Sequence, residues 1–155
     1  LEDSDMIKAL YRAVNAGVDV RLIVRGFCCY LKANNDPNAG MKDNIFITSI
    51  IDRYLEHGRI YLFENGGNEL MYIGSADWMT RNLDRRIEVL TPILDKDIFE
   101  ELRHILNLQL NDNQKARVLD LENSNRKVIQ KEGDKAIRSQ YAIYDYLKNK
   151  LDENR

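Results

Sequence analysis

The stretch Val20-Arg21-Leu22-Ile23-Val24-Arg25-Gly26 limits the fold more than any other part of the chain. Its apolar centre, Leu22-Ile23-Val24, has no polar break, which is the pattern of a strand covered on both faces, as in a parallel sheet between helices. The spacing predicts a strand over 18–25, ended by Gly26. A helix over 4–16 comes first. Ser4 is its predicted N-cap and Asp5 favours its first turn. Met6, Ala9, Leu10, Ala13 and Val14 recur at helical spacing, and Gly17 stands at the C′ position. Such a helix normally follows a strand, and the chain starts at Leu1 rather than Met. The expectation is a piece of a longer protein, with an N-terminal strand outside it.

Further along, Asn34-Asn35-Asp36-Pro37-Asn38-Ala39-Gly40 marks a loop over 33–44. Ile47, Ile50, Ile51 and Leu55 recur at helical spacing, which predicts a helix from about Thr48. Strands are predicted over 59–63 and 69–75, joined by the hairpin turn Asn65-Gly66-Gly67-Asn68, and over 86–92. A helix capped by Asp95 is expected over 95–110, with Ile98, Leu102, Ile105 and Leu106 on one face. Residues 113–134 read as a short helix and a loop. A last helix over 136–150 carries Tyr141, Tyr144 and Leu147 as its stripe. The fold class is therefore α/β, a layered domain with a mixed β-sheet flanked by helices.

Composition bounds the function. A chain of 155 residues, 44% hydrophobic and 31% charged, is one domain with a real core, not a disordered tail or a disulfide scaffold. Its longest apolar runs, Leu22–Val24 and Phe27–Leu31, fall far short of the roughly 20 residues of a membrane span. A net charge of −2 does not fit a nucleic-acid binder. The charge is uneven, with 13 basic against 18 acidic residues up to position 114 and 10 against 7 beyond it. The basic end could help hold a polyanion, but a solvated helix face is the simpler reading. Cys28 and Cys29 are adjacent, so they read as small buried hydrophobes in a reducing compartment rather than a disulfide or metal site.

Few residues are candidates for chemistry. His104, inside a helix, reads as a surface or boundary histidine. His57 sits where a helix is expected to hand over to a strand, and Arg59 projects to the same side of an extended chain. An imidazole titrating near neutrality beside a fixed cation suits phosphate chemistry. Arg25 ends the buried strand next to Gly26, and ligands of open α/β sheets bind outside the carboxyl ends of strands. The segment 77–86 could line a polyanion channel or pin a loop. Asp84 reads as structural, and Trp78 as a packing anchor.

His57-x-Arg59-x4-Glu64, followed by Gly74-Ser75-Ala76-Asp77, resembles the His-x-Lys-x4-Asp…Gly-Ser signature of the phospholipase D superfamily. It has Arg for Lys, Glu for Asp, and Asp77 where that superfamily often has Asn. Longer strings carry a closer resemblance. Leu22-Ile-Val-Arg-Gly-Phe-Cys-Cys, Asp52-Arg-Tyr-Leu-Glu-His-Gly-Arg-Ile-Tyr, Phe63-Glu-Asn-Gly-Gly and Tyr72-Ile-Gly-Ser-Ala-Asp-Trp-Met-Thr-Arg-Asn-Leu-Asp-Arg-Arg-Ile-Glu-Val look like the C-terminal catalytic domain of long-chain polyphosphate kinases. Gln114-Lys-Ala-Arg and Gln140-Tyr-Ala-Ile-Tyr-Asp-Tyr-Leu fit as well.

The resemblance implies the last of two phospholipase D-like C-terminal domains, preceded by an N-terminal and a head domain. It implies reversible transfer of the terminal phosphate of ATP to polyphosphate through a phosphohistidine in the preceding domain. By motif match Arg25 is an ATP contact. His57 is the second active-site histidine, both catalytic and ATP-contacting. Arg59, Glu64 and Ser75 follow only from the superfamily analogy, as supporting residues. Mg2+ would arrive with the nucleotide, and no metal ligand is assigned here. The implied partners are ATP or ADP, polyphosphate, the enzyme's other domains and a second copy in a homo-oligomer. The implied location is the cytoplasm, with peripheral membrane association left open. The loop 32–42 is longer than the pattern expects. Two other readings stand beside this one, a phospholipase D-like phosphodiesterase half and a non-catalytic oligomerisation module. Arg59 and Glu64 in place of Lys and Asp argue against the phosphodiesterase.

Overall fold

The structure, a computed structural model, describes residues 1–30, 42–122, 124–130 and 132–153. The loop predicted over 33–44 falls mostly outside them. Helix α1 spans Ser4–Asn15 and buries Ile7 and Val14. Its cap is Asp3 rather than Ser4, with the Asp3 carboxylate accepting from the N–H groups of Asp5 and Met6. A carboxylate adds favourable charge at a helix N-terminus, which a hydroxyl does not. Gly17 takes φ +88°, the left-handed turn that a C′ glycine accepts without strain.

Strand β1 (Val20–Ile23) pairs in parallel with β2 (Ile45–Ile50), Val20 opposite Ile45 and Ile23 opposite Thr48. The helix predicted from Thr48 is thus strand up to Ile50 and irregular beyond it, with Ile51 and Leu55 exposed. The residues of β2 are mostly β-branched, which suits a pleated, covered surface better than a helix interior. A run of buried β-branched residues satisfies both periods, and pairing decides. Across β2 lies β6 (Ala116–Val118), antiparallel, where the sequence reads as helix and loop. Only Ala116 and Val118 are apolar there, too short a run to show as a strand. Ile47, at the sheet centre, is fully buried, and Ile7, Val14, Val20, Tyr30 and Ile45 complete the core. Cys28 and Cys29 are free and half-buried against it, and burial pushes the Cys28 thiol pKa up.

A second, antiparallel sheet holds β3 (Ile60–Phe63), β4 (Leu70–Gly74) and β5 (Leu90–Pro92) in the order β3-β4-β5. The predicted hairpin is there, closed by a single 3₁₀ turn at Asn65–Gly67. Gly74 is closely packed, and a Cβ there would meet Leu90 Cδ1 at 3.1 Å and Tyr61 Cε2 at 3.3 Å, so that a neighbour would have to give by a few tenths of an ångström. The α/β layered class holds, with the strands divided between two sheets of three. Helix α2 (Thr80–Arg85) forms in the charged stretch that gave no helical pattern. Helix α3 (Lys96–Leu110) starts at the Asp95 cap, as predicted. Helix α4 (Ser139–Glu153) starts three residues later than expected and packs on α3. Its predicted stripe is not the buried face: Tyr141 and Tyr144 are exposed, and Ser139 and Gln140 are buried. Among the described residues no helix is long and apolar enough to cross a membrane.

Candidate functional site

Because β1 and β2 are parallel, their carboxyl ends emerge at one edge of the sheet. Arg25 follows β1 there, and the irregular segment 51–59 follows β2. The Arg25 guanidinium donates through Nη1 to the Glu56 carbonyl at 2.5 Å. This brings Arg25 within one residue of His57, although 31 residues separate Arg25 from Glu56.

Hairpin closure builds the second half of the cluster. Antiparallel pairing sets the start of β3 beside the end of β4, and Gly74 N–H donates to the Arg59 carbonyl at 3.1 Å. Asp77, just beyond β4, then reaches Arg59, at 3.0 Å from Nε and 2.9 Å from Nη2. Arg59 in turn runs along His57, with Nη1 3.1 Å from Nδ1 and Nη2 3.2 Å from Nε2. The in-plane directions of the two ring nitrogens diverge, so one guanidinium cannot donate in plane to both. Nη1 also donates to the His57 carbonyl at 3.1 Å, so the planar guanidinium touches the imidazole at both nitrogens and the backbone beside it, a set of contacts closed to a lysine.

The other candidates are placed differently. Ser75 donates to the Glu88 carboxylate and accepts from Val89 N–H at 3.0 Å, which ties β4 to β5. Glu64 caps the hairpin turn through Gly66 N–H at 2.9 Å. It lies at the far end of β3, roughly 20 Å from His57 at the rise of an extended strand. The structure gathers Arg25, His57 and Arg59 and leaves Glu64 apart. Trp78 packs as expected, stacked on Tyr61 with ring centroids 5.2 Å apart. Burial pushes the Tyr61 hydroxyl pKa up, and that hydroxyl donates to the Ala76 carbonyl at 3.0 Å. Arg81 and Asp84 are exposed. His104 is an exposed helix residue against the Tyr146 ring.

Two contacts that sequence reasoning passed over hold segment 51–59, and a buried aspartate anchors the start of α4 behind them. Asp52 accepts from Arg138 at 2.7 and 2.6 Å, and that guanidinium holds the carboxyl pKa below its ordinary value. Gln140 bonds Tyr54 and Glu56. Asp112, 1% exposed, accepts five hydrogen bonds, from the N–H groups of Gln114, Lys115, Ala116 and Ser139 and from the Ser139 hydroxyl. Burial alone would raise the Asp112 pKa, but these donors outweigh it and lower it. The only sequence trace of this support was the presence of Asp52 and Gln140 in the matched strings. Among the described residues no three His, Cys, Asp or Glu side chains stand together as a metal site.

Two guanidinium groups and an imidazole thus stand near the carboxyl edge of a small α/β sheet, residue types whose chemistry suits oxyanions. The family is more specific. The model of polyphosphate kinase C-terminal domain 2 matches residues 1–140, and the chain belongs to that family. The polyphosphate kinase of Yersinia pestis is 49% identical over 149 residues, covering 96% of this chain and 21% of that protein. That of Escherichia coli strain K12 is 47% identical over 150 residues, with the same coverage. The crystal structure of polyphosphate kinase from Porphyromonas gingivalis superposes with a TM-score of 0.89 at 45% identity, over 99% of this chain and 23% of that one. The phospholipase D-like layered fold expected from the sequence is the fold found. The chain spans about a fifth of the length of these relatives.

Proposed function

We propose that this chain supplies one side of the active site of an ATP–polyphosphate phosphotransferase. The observation that supports the reading is the Arg25–Glu56 hydrogen bond, which holds Arg25 against the residue next to His57, so that the two residues matched to ATP contacts come to one sheet edge. Arg25 has further N–H donors for phosphate oxygens, and its charge is permanent. His57, held in place by Arg59, acts on the transferred phosphoryl group as hydrogen-bond donor or general acid. Phosphoryl transfer is mostly positioning and charge stabilisation, which such a rim can supply. The nucleophilic histidine, and the phosphohistidine formed on it, belong to the preceding domain of the full-length enzyme. Mg2+ would accompany the nucleotide as its counter-ion, and no residue of this chain is assigned to it. Polyphosphate, the other domains and a second copy of the enzyme are the remaining partners.

The test is mutagenesis in the full-length enzyme. His57→Ala and Arg25→Ala should each lower ATP-dependent polyphosphate synthesis about 100- to 1,000-fold, the usual loss for one donor at a developing charge. Turnover near wild type in either variant removes that residue from the site.

A further inference from the structure

We infer that Gln140 is a positioning residue for the Arg25–His57 site, an assignment that rests on the reading just proposed. Segment 51–59 lies outside both sheets and every helix, so its backbone needs support from elsewhere. Gln140 provides it. Its Oε1 accepts from Tyr54 N–H at 3.0 Å, and its Nε2 donates to the Tyr54 carbonyl at 2.8 Å. One side-chain amide thus pairs with both backbone groups of one residue, as a neighbouring strand would. The second N–H of Nε2 goes to the Glu56 carboxylate at 3.0 Å. Both amide hydrogens and the oxygen are committed, and the residue is 7% exposed.

The clamp reaches the site directly. The Glu56 carbonyl holds the Arg25 guanidinium, and the next residue is His57. A shift of Glu56 therefore moves both groups proposed to touch ATP. The clamp is itself anchored, because Ser139 is bound to buried Asp112 and Arg138 to buried Asp52. Glutamine is the side chain with this reach, one acceptor and two donors. Glutamate would keep the acceptor, lose both donors and face the Glu56 carboxylate.

The experiment uses the full-length enzyme with ATP as the varied substrate. Gln140→Glu should raise the KM for ATP about tenfold, with a smaller change in kcat, when assayed well below its melting temperature. Adding Glu56→Gln should recover most of that loss, since the amide introduced at 56 then donates to the carboxylate introduced at 140. An unchanged KM in Gln140→Glu overturns the assignment. A loss that tracks a lower melting temperature and is not recovered by Glu56→Gln also overturns it, leaving Gln140 a stability residue. His57→Ala and Arg25→Ala are assayed alongside. If they leave synthesis intact, the active-site reading falls and this inference with it. If they abolish synthesis while Gln140→Glu behaves as wild type, only the inference about Gln140 falls.

Discussion

A guanidinium in contact with both ring nitrogens of an imidazole limits how the ring can turn. Arg59 holds that place because Asp77 fixes its other side at 2.9 Å. Asp77→Ala removes the carboxylate and frees Arg59 to swing toward solvent. The expected result is a drop of about tenfold in kcat/KM of the full-length enzyme, smaller than the loss on removing His57, read by steady-state kinetics. Asp112 works on stability instead. Asp3, Asp52 and Asp112 all have native pKa values below the ordinary 3.8. A depressed native pKa stabilises the fold above the unfolded value. That contribution is lost as pH falls through 3.8 and then through the native values. Denaturant melts at pH 6 and pH 3 should therefore show a marked loss at the lower pH. Asp112→Asn should cost about 2 kcal/mol at pH 6, because its NH2 group faces the Ser139 donors, and should flatten the pH dependence. An unchanged slope would mean that Asp112 does not carry it.

At the scale of elements, two aspartates cap two helices with different consequences. Asp95 accepts from Asp97 and Ile98 N–H at the exposed start of α3. Asp3 does the same for α1 and also accepts from the Thr80 hydroxyl at 3.1 Å, 77 residues away. Beside it, the Trp78 carbonyl takes the N–H groups of Glu2 and Asp3. The Asp3 cap thus fastens α1 to the loop that follows Asp77. Asp95→Ala should lower stability by about 1 kcal/mol, the ordinary cost of a cap. Asp3→Ala should lower it by about 2 kcal/mol, since Thr80 loses a partner as well. Thermal melts of the two variants distinguish these values, and equal losses would mean that the Thr80 contact adds nothing.

For the whole molecule, the site has one side. In the proposed reading Arg25, His57 and Arg59 would bind and polarise a phosphoryl group, and the nucleophile would come from another domain. The purified 155-residue chain should make no polyphosphate from ATP, measured by product formation over hours. Robust synthesis by this chain alone would place the nucleophile within it and refute the division of labour. Its net charge of −2 is no obstacle to a polyanionic substrate, because a few placed cations act at short range where bulk charge is screened.

The sequence by itself determined what depends on neighbours a few residues apart. Helix α1, strand β1, the β3–β4 hairpin and the Asp95 cap all rest on local periodicity and turn chemistry, although β1 is less covered than its apolar run suggests, with Arg21 exposed and Leu22 and Ile23 half-buried. The His57–Arg59 pair is local too, since residues two apart on an extended chain share a side. The consecutive strings around Arg25 and His57 also made the family legible. Tertiary structure alone decided the rest. Ile45–Ile50 satisfies a helical and a strand period alike, and only pairing with β1 and β6 makes it a strand. The same pairing created β6 from three residues with no pattern of their own. Parallel alignment of β1 and β2 put Arg25 beside Glu56, and Glu64 was left at the far end of a strand that the motif spacing does not measure. Gln140 reaches Tyr54 across 86 residues. A hydrogen bond over that separation leaves no local trace, because its geometry exists only once both partners have been folded to the same edge of the sheet.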